Sequence, residues 1–287
     1  MQIGRCVMKI KYLLAAFLVL FMISCASTLT HYELGMQYYE SGKLDDAIEE
    51  LQSSISINPS DPIVHKALGD VFADKGMLLE AITEWEVALK LKPAYAELKG
   101  KLEASYLSLG NDEHDKGRID ESMDIWRKII QLNPDSLEAH KRLGLDYLLK
   151  KDNGNAIPEL EYVISKNPND DLVYKKLGMA YFEKGSFDAA VKAFESLVRL
   201  KPTDAMAYNN LGSIYLKVNR VQDAINILEQ ALKLDATKSP IYNNMGNAYY
   251  QKKDYKNARA QWARSLQINP SDDTAKTNLK TLDSMGE

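Results

Sequence analysis

A glycine recurs at a fixed interval of 34 residues, and that period constrains the fold more than any other feature. Gly110, Gly144, Gly178, Gly212 and Gly246 are evenly spaced. At the usual glycine frequency of about 7%, four coincidences at preset positions arise by chance in roughly 2 of 10⁵ sequences. A skip of seven residues extends the series back to Gly69 and Gly35, and every member follows Leu or, once, Met245. A period of this length marks a repeat architecture in which each unit needs its neighbours to cover an apolar face.

With this glycine placed at position 8, seven repeats span 28–61, 62–95, 103–136, 137–170, 171–204, 205–238 and 239–272. Position 11 is aromatic in six of them, with Glu113 the exception. Position 15 holds Gly42, Gly76, Gly117 and Gly185, position 20 holds Ala or Ser122, and position 32 holds Pro in all but the Ala236 repeat. Positions 4, 7, 8 and 11 share one helical stripe, and 20, 24 and 27 share a second. Each repeat is therefore predicted to be an antiparallel pair of helices, A and B. Glycine at 15 suits the turn between them, and proline at 32 ends helix B. Glycine inside helix A costs about 0.5–1 kcal/mol relative to alanine, which predicts close backbone approach there, with the small residue at position 20 facing it. Trp85, Trp126 and Trp262 share position 24 and read as core.

These residues resemble the tetratricopeptide repeat over 28–272, most closely in "YNNMGNAYYQKKDYKNARAQWARSLQINP". The resemblance implies an all-α, right-handed superhelical solenoid of antiparallel helix pairs that binds proteins. Repeat 3 departs furthest, with Glu113, Ser122 and Ile129 at family positions. In repeat 4, Pro158 is expected to delay or bend helix B. The extra "AELKGKL" at 96–102 keeps Leu98, Leu102, Tyr106 and Leu109 on one helical face, so it lengthens helix A of repeat 3. It reads either as a tolerated insertion or as a boundary before repeats 3–7. Residues 273–287 supply a short C-terminal capping helix with a polar face.

Near the N-terminus, Lys9 and Lys11 precede an apolar run from Tyr12 to Ile23 that ends in "MISC". The run has the charge and length of a signal peptide over 1–24 and is short for a membrane-spanning helix. "MISC" resembles a bacterial lipobox. That resemblance implies cleavage behind Ser24, two kinds of acyl chain on Cys25, a short tether at 25–27, and, with Ala26 next, an outer-membrane location facing the periplasm. Cys6 and Cys25 are the only cysteines, so the repeats use no disulfide.

No catalytic constellation, phosphate loop or metal-ligand motif stands out, so neither an enzyme nor a cofactor is expected. A net charge of −4 argues against general nucleic-acid binding. His31, His65 and His140 share position 4 and are expected to pack between helices, whereas His114, beside Asp112, Glu113 and Asp115, is expected on a solvated charged face. In the family, positions 5, 6 and 9 of helix A line the ligand groove. Here they supply Lys141, Arg142, Lys175, Lys176, Asn209, Asn210, Asn243, Asn244 and Asn247. Amides can read an extended peptide backbone and the bases can hold a carboxylate. Leu145 and Met179 stand where the clamp for chaperone C-termini needs an asparagine. The expected function is a membrane-anchored scaffold or assembly factor for envelope complexes, pilotin-like or similar, that takes an extended protein segment rather than a small molecule. The alternative is an inner-membrane, signal-anchored adaptor.

Overall fold

The computed structural model describes residues 29–286, so the signal-peptide segment, Cys6, Cys25 and the 25–27 tether lie outside the described residues. The described chain is all-α, with fifteen helices and no strand. Helices α1 (His31–Glu40) and α2 (Leu44–Ile57) form repeat 1, and α3 (Pro62–Asp74) and α4 (Leu78–Leu91) form repeat 2. Repeats 3 and 4 are α5 (Ala96–Asp115) with α6 (Ile119–Leu132), and α7 (Leu137–Leu149) with α8 (Asn153–Lys166). Repeat 5 is α9 (Asp171–Glu183) with α10 (Phe187–Leu200), and repeat 6 is α11 (Ala205–Lys217) with α12 (Val221–Leu234). Repeat 7 is α13 (Ser239–Gln251) with α14 (Tyr255–Ile268), and α15 (Asp273–Met285) follows. The chain divides into two compact units, one ending at Tyr106 and the other beginning at Leu107.

Within each pair the glycine at position 8 makes room for a side chain, and the partner differs from the sequence expectation. A Cβ built on Gly178 would sit 2.4 Å from the Phe194 ring, and one on Gly246 would sit 2.4 Å from Trp262 Nε1. Gly35, Gly69, Gly110, Gly144 and Gly212 meet Leu51, Trp85, Trp126, Leu160 and Leu228 in the same way. All seven partners occupy position 24. The close approach is thus a large side chain laid over bare backbone, while the small residue at 20, fully buried in every repeat, lets the helices cross beside it. Because a leucine or an aromatic ring fills this space, van der Waals contact is gained where a void would otherwise remain.

The turn between helices adopts the left-handed conformation at position 15 in every repeat. Gly42, Gly76, Gly117 and Gly185 have φ of 76 to 81°, and Lys151, Asn219 and Lys253 take φ of 59 to 61° in the other three repeats. Asp at position 34 caps the following helix: Asp170 Oδ1 accepts from Val173 N at 3.0 Å, and Asp272 Oδ1 from Ala275 N at 3.1 Å. Pro158 does not delay its helix. Helix α8 begins at Asn153, the same repeat position at which the other B helices begin. A proline this near the start removes a single intrahelical hydrogen bond, and Asp152 secures the end by accepting from Asn155 N at 3.1 Å.

The extended helix of repeat 3 is a 20-residue α5, with Leu98, Leu102 and Tyr106 buried on one face as the spacing predicts. In the N-terminal unit it is tied down by Tyr106, which hydrogen-bonds Glu86, and by Lys101 Nζ, which lies 2.8 Å from Asp70. Asp70 also accepts from Trp85 Nε1 at 2.9 Å and from Lys66 at 3.0 Å. In the C-terminal unit the tyrosine at position 11 makes a related link to the preceding repeat: Tyr215 donates to Glu195 at 2.8 Å, and Tyr181 to Glu161. Burial, reinforced by the Glu195 carboxylate, pushes the Tyr215 hydroxyl up to about 12. His65 and His140 pack between helices as expected. Each sets Nδ1 against a glutamate (2.6 and 2.5 Å) and Nε2 against a proline carbonyl (3.0 and 3.1 Å). His31 pairs with Glu50 at 2.6 Å but stays half-exposed.

Candidate partner-binding groove

In the C-terminal unit, positions 6, 9, 12 and 13 of the A helices share one face. Three cavities lie along this face. The first, about 300 Å³, is lined by His114, Arg142, Leu145, Leu149, Lys176 and Met179 among others. The second, about 320 Å³, shares Met179 and Glu183 with it and adds Phe182, Asn210 and Ser213. The third, about 360 Å³, shares Ser213 and adds Asn244, Asn247, Tyr250 and Asn278. Together they make one continuous track across α5, α7, α9, α11, α13 and α15. Leu149 and Met179 are exposed along it, at 61% and 44%, an apolar strip of the kind that marks a binding surface.

Five of the nine predicted residues line this track: Arg142, Lys176, Asn210, Asn244 and Asn247. The residues at position 5 do something else. Lys141 Nζ reaches Asp170 Oδ2 at 2.7 Å, and Asn243 Nδ2 donates to Asp272, so each braces the N-cap of the helix after its own repeat. Asn209 is buried, and its Oδ1 accepts from Asn244 Nδ2 at 2.9 Å. These three are held at the joints between helices rather than presented to a ligand, because position 5 lies closer to the core stripe than position 6 does. Lys175 is exposed and lines none of the three cavities.

Asn278, contributed by α15, extends the amide row by donating to Asn247 Oδ1 at 3.0 Å. It had no place in the sequence reading because it lies beyond the last repeat. His114 is a correction. Its ring is only part-exposed, and its Nδ1 is buried and lies 2.7 Å from Oδ1 of Asp146, a carboxylate that is 1% exposed. The two atoms are in contact without an aligned hydrogen bond. Asp146 Oδ2 also accepts from Ser122 Oγ at 2.6 Å and from Trp126 Nε1 at 2.8 Å. Burying a carboxylate is costly unless donors surround it, and here Ser122 and Trp126 of α6 donate to it while His114 of α5 packs against it.

No group of three or more metal-ligating side chains is placed to hold an ion among the described residues. No helix among them is long and apolar enough to cross a membrane.

Family models described as tetratricopeptide repeat match residues 175–239 and 239–272, and one described as TPR repeat matches 35–76. No curated protein matches the sequence. Among solved structures, a MamA protein is 23% identical with a TM-score of 0.57, over 60% of this chain and 93% of that one. MamA of Desulfovibrio magneticus RS-1 is 20% identical with a TM-score of 0.56, over 61% of this chain and 97% of that one. The Cut9–Hcn1 hetero-tetramer of APC/C matches at 18% identity and a TM-score of 0.50, over 92% of this chain and 50% of that one. At these identities the likenesses concern the fold. The repeats are tetratricopeptide repeats, an architecture that serves generally as a protein-binding scaffold.

Proposed function

We propose that this chain is a membrane-anchored scaffold of the bacterial cell envelope, held by lipid on Cys25, whose groove grips an extended segment of another envelope protein and takes no part in catalysis. The observation that carries the reading is the continuous track over α5–α15, with amides from Asn210, Asn244, Asn247 and Asn278 beside exposed Leu149 and Met179. Side-chain amides both donate and accept, so they suit an unpaired peptide backbone, while the apolar strip suits alternate side chains. The anchor rests on the lysine-flanked run ending in Cys25. Two acyl chains would hold the protein stably where one is marginal.

The test has two arms. Cys25→Ala should abolish palmitate incorporation and release the protein from the membrane fraction. If the variant stays membrane-bound and unprocessed wild type carries no label, the signal-anchored adaptor is the better description. A photo-crosslinking residue at Ser213 should trap an envelope protein in cells. Crosslinks that arise from the B helices and not from Ser213 would remove the groove from consideration.

A further inference from the structure

The first cavity of the track gathers Arg142, Asp146, Lys176 and Glu183, where the second has only Glu183 and the third only Lys217, and its acids and bases are in different states. Both acids are already engaged. Asp146 is surrounded by Ser122, Trp126 and His114, and Glu183 accepts from Asn153 Nδ2 at 2.9 Å. The bases keep donors in reserve. Lys176 makes no ion pair or hydrogen bond among the described residues, and Arg142 uses only Nε, against Glu138 at 2.7 Å. His114, pinned through Nδ1 to a carboxylate that the core holds rigidly, meets the cavity with the rest of its ring. Donors from α7 and α9, with the His114 ring of α5 beside them, thus converge on one small space whose apolar lining is Leu145, Leu148, Leu149, Met179 and Ala180.

We infer that this cavity is a subsite for the acidic side chain of an extended segment, an Asp or Glu flanked by an apolar residue that lies on Leu149 and Met179. The inference rests on the groove being the partner site. Unengaged donors on a part-apolar wall favour an acceptor that bears charge, because a charge-assisted hydrogen bond is about twice as strong as a neutral one. The cavity is open to solvent and runs into the next one through Met179 and Glu183. That openness suits a side chain reaching down from a chain in passage rather than a chain terminus. The asparagines farther along would then read the backbone of the same segment, which fixes its placement: acid over α7 and α9, and plain backbone over α11–α15.

The probe is a library of random 12-residue peptides displayed as N-terminal fusions, so that no peptide C-terminus is free, selected on the full chain. Selected peptides should be enriched in Asp or Glu beside Leu, Ile, Phe or Met. A synthetic copy, acetylated and amidated, should lose roughly tenfold to a hundredfold in affinity when its acid becomes the amide, and a similar factor with Lys176→Gln or Arg142→Gln. Asn244→Ala should weaken acid and amide peptides alike. Acidic peptides indifferent to the two base variants overturn the subsite, as does a gain in affinity when the terminal amide is replaced by a free carboxylate. Peptides without acidic preference that still need Asn244 leave the groove standing and the subsite refuted. A library yielding no peptide sensitive to any of these variants refutes both.

Discussion

Trp126 and Trp262 hold the same repeat position, are both buried, and both fill the space above a glycine. Their indole N–H groups are nevertheless satisfied differently. Trp262 donates to the backbone carbonyl of Asn243 in its own repeat at 3.3 Å, whereas Trp126 donates to Asp146, on the first helix of the next repeat, at 2.8 Å. Twenty positions beyond Trp262, where Asp146 stands relative to Trp126, is the fully buried Leu282. The comparison separates two layers of information. Shape complementarity between positions 8 and 24 is fixed throughout, while the polar partner of a ring is free to vary. Where that partner is a carboxylate from the neighbouring repeat, the junction is polar and the groove above it is charged. Where it is backbone, the groove above is lined by amides.

The sharpest way to break this comparison is to remove each ring. Trp→Ala in a core costs about 3–5 kcal/mol, and Trp262→Ala is expected to fall in that range. Trp126→Ala should cost more, because it also takes a donor from a buried carboxylate, worth about 1–3 kcal/mol. Adding Asp146→Ala to Trp126→Ala should therefore destabilise by less than the sum of the two single changes. Denaturant titrations of the single and double variants measure this coupling. Equal costs for the two tryptophans, or strict additivity, would show that the carboxylate link is incidental.

A smaller effect contrasts the two braced caps. Asp170 and Asp272 occupy the same position, but the first is braced by the Lys141 ammonium and the second by the Asn243 amide and Ser265 Oγ. Burial alone would raise the Asp272 carboxyl. Hydrogen bonds from Ala275 N, Ser265 and Asn243 outweigh it and hold the group below its ordinary range. A depressed folded value means that the stabilisation is complete above the unfolded carboxyl range and is lost as pH falls through the lower folded value. Asp272→Ala should therefore cost about 1 kcal/mol at neutral pH and progressively less in acid. Amide exchange in α15 at pH 7 and pH 3 reads this directly. A cost that does not change with pH would show that Asp272 acts only by shape.

The period made the helices, their order and their turns legible, because recurrence reports which positions share a structural duty. It did not report what touches what. Position 20 recurs more strictly than position 24, so the small residue looked like the partner of the glycine when the large side chain at 24 was. The groove was partly legible for a related reason. Positions 5 and 6 are adjacent in sequence, and only helix orientation shows that Lys141 and Asn243 turn toward the capping aspartates while Arg142 and Asn244 line the track. His114 was misread because its acidic sequence neighbours suggested solvent, whereas its actual partner, Asp146, is 32 residues on. Asp112 holds the same repeat position as Asp146, yet it is exposed and pairs with Lys116, so no rule of position could have found the buried acid.

The smallest expected effect concerns the turn at position 15, where repeats 4, 6 and 7 lack the glycine that repeats 1, 2, 3 and 5 carry. Lys151 and Lys253 are held at φ of 59 and 61°, a region that costs a side-chain-bearing residue about 1–2 kcal/mol. Replacing either by glycine removes that strain but adds about 0.4–1 kcal/mol of unfolded-chain freedom. Lys151→Gly and Lys253→Gly should therefore each stabilise by roughly 0.5–1 kcal/mol. Asn219→Gly should gain less, since asparagine tolerates this conformation. The reverse change, Gly185→Lys, should cost a similar amount through the backbone alone, because nothing lies within 4 Å of a Cβ built at Gly185. Melting temperatures of the four variants decide the matter. If the two lysine replacements lower the melting temperature, contacts of the lysine stems outweigh the turn strain, and the repeats without glycine are held by something other than backbone geometry.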